Sequence, residues 1–247
     1  MDDALELEQY LPASFKSPKE QEYLQFLWES FETNYTHGKY QFAFLAYHML
    51  TMSFVYFNIW QIRQAAPKDF QNALIGFGKD IEKNLLVATS PFAFSTVNER
   101  TMLRFLKLIQ CDNGKIGTYA KLVDERNETA HSNGNIFFST QEALDRKITE
   151  ILRIVAEIQE HSRDIILNGY RTFLLESADS EEREYPDPGD QVRETLVHGS
   201  YFSAKDIAFC ADFDVADEFG THQHFDEIEV LHSLLPQTEE PESTASA

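Results

Sequence analysis

Arg126 and His131, with Asn127 directly after the arginine, are the residues whose types and spacing could do chemistry. An imidazole titrates near neutral pH and can move a proton. A guanidinium stays charged and presents a rigid fork that fits a phosphate. Together they suit cleavage of a phosphodiester, the histidine as acid or base and the arginine holding the developing charge. On a helix, Asn127 and His131 share one face. Arg126 lies about 140° round from His131 at 3.6 residues per turn, and its long side chain can bend back to the same pocket. The same spacing recurs at Arg193 and His198, in a far more acidic stretch.

The scaffold that must hold these residues reads as helix after helix. Ser17-Pro18-Lys19-Glu20 offers a capping box with proline at the first helical position. Tyr23, Phe26, Leu27, Phe31 and Tyr35 follow at helical spacing, and Gly38 supplies the stop. No charge interrupts the chain between Lys39 and Arg63, a run long enough to cross a bilayer. His48, Asn58, Gln41, Gln61 and scattered tyrosines favour a buried central helix over a span. Thr96 and Glu99 form a second capping box, opening a helix through Ile109 that Gly114 and Gly117 break. A shorter helix follows from Thr118 to His131, with Tyr119, Leu122, Val123 and Ala130 toward the core. Ser139 and Glu142 start a long helix in which Leu144, Ile148, Ile151, Leu152, Val155, Ile158, Ile165 and Ile166 repeat at three and four residues. The expected fold is mainly α, an up-and-down bundle of four to five helices. After residue 191, ETLVHGSYF and KDIAFCADFDV predict two or three strands, hence a small acidic extension of mixed or β character.

The 247 residues carry a net charge of -20, distributed unevenly. Residues 1–175 hold 22 acids and 18 bases, whereas residues 176–247 hold 19 acids and three bases. The expected organisation is a helical domain over 1–175, an acidic linker over 176–191, the small extension over 192–235 and a disordered tail over 236–247. The overall acidity excludes a broad electrostatic nucleic-acid binder and a polybasic lipid binder. It leaves room for an enzyme that meets RNA at one small groove of the near-neutral domain. Two cysteines, Cys111 and Cys210, make no disulfide framework, and the first residues lack a secretory pattern. A cytoplasmic protein with no membrane partner is expected.

The RNETAH segment in its helical context resembles the Arg-Asn-x-x-x-His signature of the HEPN superfamily, and AYHMLTMSFVYFNIWQI resembles the long early helix of its bacterial members. The resemblance covers about residues 17–175. It implies a helical bundle that pairs as a homodimer, the two motifs facing across the interface. It further implies a metal-independent endoribonuclease, of the kind found among toxins and antiphage effectors, that leaves a 2′,3′-cyclic phosphate. Under it His131 is the general acid/base, Arg126 the phosphate clamp and Asn127 a substrate contact. RNA is then the substrate, and a regulatory protein partner is conceivable. Asn133 stands where members silenced by nucleotidyltransferase antitoxins carry tyrosine, which puts that pairing in doubt. A non-catalytic interaction module is the alternative.

No cofactor or metal is expected. His198, Cys210, His222 and His224 could supply zinc ligands, but their gaps match no ribbon or finger. His48 reads as a hydrogen-bonded core histidine. No phosphate loop, dinucleotide fingerprint or nucleophile elbow is present.

Overall fold

The computed structural model describes residues 1–131 and 134–236. Asn133 and all but the first residue of the 236–247 tail lie outside the described residues. Four long helices carry the frame: α1 (Pro18–Thr36), α2 (Tyr40–Ala65), α3 (Asn113–Ala130) and α4 (Gln141–Ser177). The protein is mainly α, and among the described residues the only β pairing is an isolated bridge between Pro12 and Ser203.

Helix α1 starts where the sequence predicts. The Ser17 hydroxyl accepts from the backbone of its first turn, and the Glu20 carboxylate returns to the Ser17 N–H. Helix α2 is the centre of the molecule, with every residue from Leu50 to Ile62 buried. By length and composition it could cross a membrane, yet it packs against α1 on one side and α4 on another. Its polar residues are absorbed by neighbours: Asn58 donates to Ser162 Oγ at 2.6 Å, and Gln61 donates to Asp206 at 2.8 Å.

Three local expectations change. The helix Glu99–Leu103 is capped by Asn98, whose side chain accepts from Thr101 N–H; Thr96 instead ends a preceding 3-10 turn, Pro91–Thr96. Glu99 is thereby released from capping. Helix α3 runs through Gly114 and Gly117, because the Asp112 side chain caps it at Lys115 N–H. Two helical glycines each cost about 1 kcal/mol relative to alanine, and an acidic cap offsets a similar amount. At the other end of α3, Ala130 is exposed, the last turn having run past the core.

The predicted strands after residue 191 are replaced by helix. A π-turned helix spans Gln191–His198, followed by α5 (Ala204–Ala211), a short turn at Val215–Phe219, and α6 (Phe225–Ser233). The missed signal is Ser203 with Asp206, a capping box whose carboxylate is also tied to the bundle. Asp206 accepts from Gln61 and Gln159 side chains at 2.8 and 2.6 Å and from Ser203 N–H at 2.8 Å. The short aromatic runs that suggest strands instead bury Phe202, Ile207 and Cys210 against the C-terminal half of α4, in a second apolar cluster. The acidic stretch between α4 and the π-turned helix is anchored too: Arg183 reaches the Ser177 carbonyl and Glu227, and Gln191 donates to Ser177 Oγ.

Candidate functional site

The N-terminal turns of α1, the middle of α2, the 89–100 segment and the later half of α3 enclose an open cleft of about 1030 Å³. Arg126 and Asn127 both line it, at one end. The apolar walls come from Met52, Tyr56, Phe92 and Val97, and Tyr23 meets Phe92 edge-on at 5.1 Å.

The carboxylate of Glu99 organises the Arg126 end. Arg126 Nη2 donates to Glu99 Oε2 at 2.6 Å, and the His48 Nε2–H reaches the same oxygen at 3.1 Å. Arg126 is 31% exposed, Glu99 18% and His48 1%, so the cluster runs from the cleft surface into the core. Burial pushes the Glu99 carboxyl upward, but His48 and Arg126 together outweigh it and hold the group below the usual carboxylate range. Tyr56, beside them, is pushed up to about 12 by burial and by the Glu99 charge, so it remains a hydroxyl donor. The other His48 nitrogen, Nδ1, is buried with no hydrogen-bond partner among the described residues.

The two acids that directly precede Arg126 are paired elsewhere. Asp124 meets Arg100, and Glu125 meets Lys147 at 2.8 Å. Arg126 therefore takes its counter-charge from Glu99, on a different element.

His131 sits differently. Helix α3 ends at Ala130, and His131 is the C-cap residue, extended at ψ 144 and exposed, its N–H still bonded to the Asn127 carbonyl. It is absent from the cleft lining, which holds Arg126 and Asn127. Gln41 fixes this end of α3 by donating to the Thr129 carbonyl at 2.9 Å while accepting from Phe137 N–H at 3.1 Å. The second Arg-x4-His pair has no such setting: Arg193 is surface-paired with Asp190 and Glu194 on the π-turned helix.

Glu99, Lys16, Lys19, Tyr23 and Phe92 are cleft residues that spacing alone does not single out. Among the zinc candidates, Cys210 is buried in the second apolar cluster, and His222 and His224 are ring neighbours at 5.9 Å. Among the described residues no three His, Cys, Asp or Glu side chains converge as a metal group. Compared with known proteins, the chain matches no family model, no curated protein and no solved structure.

Proposed function

We propose that the protein is a HEPN-like, metal-independent endoribonuclease acting in the cytoplasm as a homodimer, with growth arrest or antiphage defence as the role its motif resemblance implies. The observation that carries this reading is the seating of Arg126 and Asn127 of RNETAH on the lining of a large cleft with aromatic walls. Its mainly α frame of long helices is compatible with the bundle such a domain needs.

In the reaction the ribose 2′-oxygen attacks phosphorus and loses its proton to a base. The bond to the 5′-oxygen breaks, the leaving oxygen receives a proton, and a 2′,3′-cyclic phosphate remains. Arg126 holds the non-bridging oxygens, for which the phosphate must share or displace Glu99. His131 serves as the acid/base from the rim, where its exposure lets a second subunit close over it. On this reading the second subunit covers exposed apolar side chains of α1 and α2, where Phe26, Phe42 and Met49 are 62%, 57% and 42% exposed. Single exposed apolar residues are ordinary, but three large ones on paired helices fit an interface.

The test is incubation of the full chain with total RNA in EDTA. Cleavage that survives chelation and disappears in His131→Ala supports the reading; a folded dimer that leaves RNA intact overturns it. The second reading, a non-catalytic interaction module, is favoured by the Glu99 contact that occupies Arg126 and by the position of His131 outside the cleft lining. Partner capture unaffected by Arg126→Ala and His131→Ala supports that class.

A further inference from the structure

The cleft has a second end, remote from Arg126 and chemically distinct from it. Lys16 and Lys19 line it together with Ser17 and Ser90. Of the four cations on the cleft lining, Arg126 is ion-paired to Glu99 and Arg100 to Asp124. Lys16 and Lys19 form no salt bridge among the described residues, although the Glu20 charge acts on Lys16. The Lys16 ammonium lies 5.1 Å from the ring centre of Tyr201 and 6.0 Å from that of Trp60. Such ring faces hold a cation without neutralising it.

The carboxylate at this end, Glu20, is buried and committed inward. It accepts from the Tyr201 hydroxyl at 3.0 and 3.1 Å, from the Ser90 hydroxyl, and from the Ser17 N–H at 3.3 Å. Two ammonium groups against one inward carboxylate leave a net positive rim.

Helix α2 gives the scale. His48 belongs to the Glu99–Arg126 cluster, and Trp60 lies under Lys16. Those two positions are separated by about 18 Å along the axis at 1.5 Å per residue. The same cleft wall carries Tyr23, Tyr56 and Phe92. A ligand with negative groups at intervals and flat rings between them matches that layout. Single-stranded polynucleotides have this form, and their unstacked bases are free to meet aromatic side chains. A duplex keeps its bases stacked inside and offers such a cleft only backbone.

We infer that Lys16 and Lys19 form a second phosphate subsite, so that the cleft takes a single-stranded RNA segment extending from Arg126 to Lys16, with bases against Tyr23 and Phe92. The inference rests on the endoribonuclease reading of the Arg126 end.

The probe is a short, fluorescently labelled 2′-O-methyl oligouridylate, whose blocked 2′-oxygen prevents the proposed cleavage. It is titrated against the full chain over a salt series. The double substitution Lys16→Gln and Lys19→Gln weakens binding about tenfold and lowers the slope of log affinity against log salt by about 1.4, two single-strand contacts at about 0.7 each. Tyr23→Ala weakens binding with the slope unchanged. Unfolding curves that overlay those of the parent protein show that each variant is folded. Unchanged affinity and slope in the double variant overturn the subsite, as does equal affinity for uridine monophosphate or for the duplexed probe. No binding of the probe overturns it also. Cleavage of unmodified RNA is read separately. Cleavage intact with an indifferent double variant removes the subsite alone, whereas no cleavage with the slope effect present removes catalysis and keeps the strand site.

Discussion

Arg126 and Glu99 meet at 2.6 Å across two elements, and the Glu99 oxygen that accepts from the guanidinium also takes the His48 Nε2–H. One carboxylate oxygen thus fixes a cleft arginine and a core histidine together. The guanidinium is held in place at the cleft surface before any substrate arrives, and its charge is balanced until an anion competes for it.

Acid should weaken the fold through Glu99. The Glu99 pKa is depressed in the folded protein, so its contribution is fully present above the unfolded carboxyl value near 4.5 and is lost as pH falls through the folded value. Urea unfolding between pH 3 and 7, roughly the carboxylate range and its upper margin, should show parent stability falling on the acid side. Glu99→Gln should flatten that limb and cost about 1–2 kcal/mol at neutral pH, between the values for exposed and buried pairs. A parallel acid limb in the variant would count against the cluster.

His131 is exposed at the end of α3, so its removal should be silent in stability and loud in activity. His131→Ala should unfold within about 0.5 kcal/mol of the parent. RNA cleavage should fall about 10²–10⁴-fold, the usual range for a general acid/base. Equal cleavage by the variant removes His131 from the chemistry.

Asp206 makes the opposite kind of pH statement. Burial raises its pKa, and hydrogen bonds from Ser203, Gln159 and Gln61 pull it back only in part. With the folded value above the unfolded one, this group lowers stability as pH rises through that interval. Asp206→Ala nevertheless strands three buried donors and should cost about 3 kcal/mol. Asp206→Asn should cost less, because its amide oxygen can keep accepting from Ser203 N–H and Gln61 while Gln159 turns its own amide to accept from the new NH2. Denaturant midpoints decide the order; alanine being the milder change contradicts it.

The pairing face is testable without RNA. Sedimentation of the parent chain should give a dimer, and Phe26→Glu should shift it toward monomer while leaving its helical content intact, since Phe26 is 62% exposed. Cleavage should fall in step with the dimer fraction. A parent that sediments as a monomer at all concentrations ends the homodimer proposal.

Much of the frame is legible in local sequence. The Ser17–Glu20 box starts α1, the charge-free run becomes the buried α2, and the three- and four-residue apolar repeat becomes α4. These are nearest-neighbour effects, settled by which side chains can cap a turn and which stripe must leave water. The C-terminal segment is misread as strands because aromatic and β-branched runs carry no period of their own over so few residues. Its helical form follows from Ser203 and Asp206, and Asp206 is itself tied to two glutamines on α2 and α4.

The candidate site divides along the same line. By itself the sequence determines that Arg126 and Asn127 sit on a helix and that a histidine follows them, because spacing within one helix is a local matter. Only the tertiary structure decides that Glu99 is the partner of Arg126, that His48 joins it, and that Tyr201 from the acidic extension anchors Glu20 behind Lys16. Those contacts depend on which helix faces meet. A carboxylate that reads as a cap in the sequence is free for the cleft once Asn98 takes the cap instead.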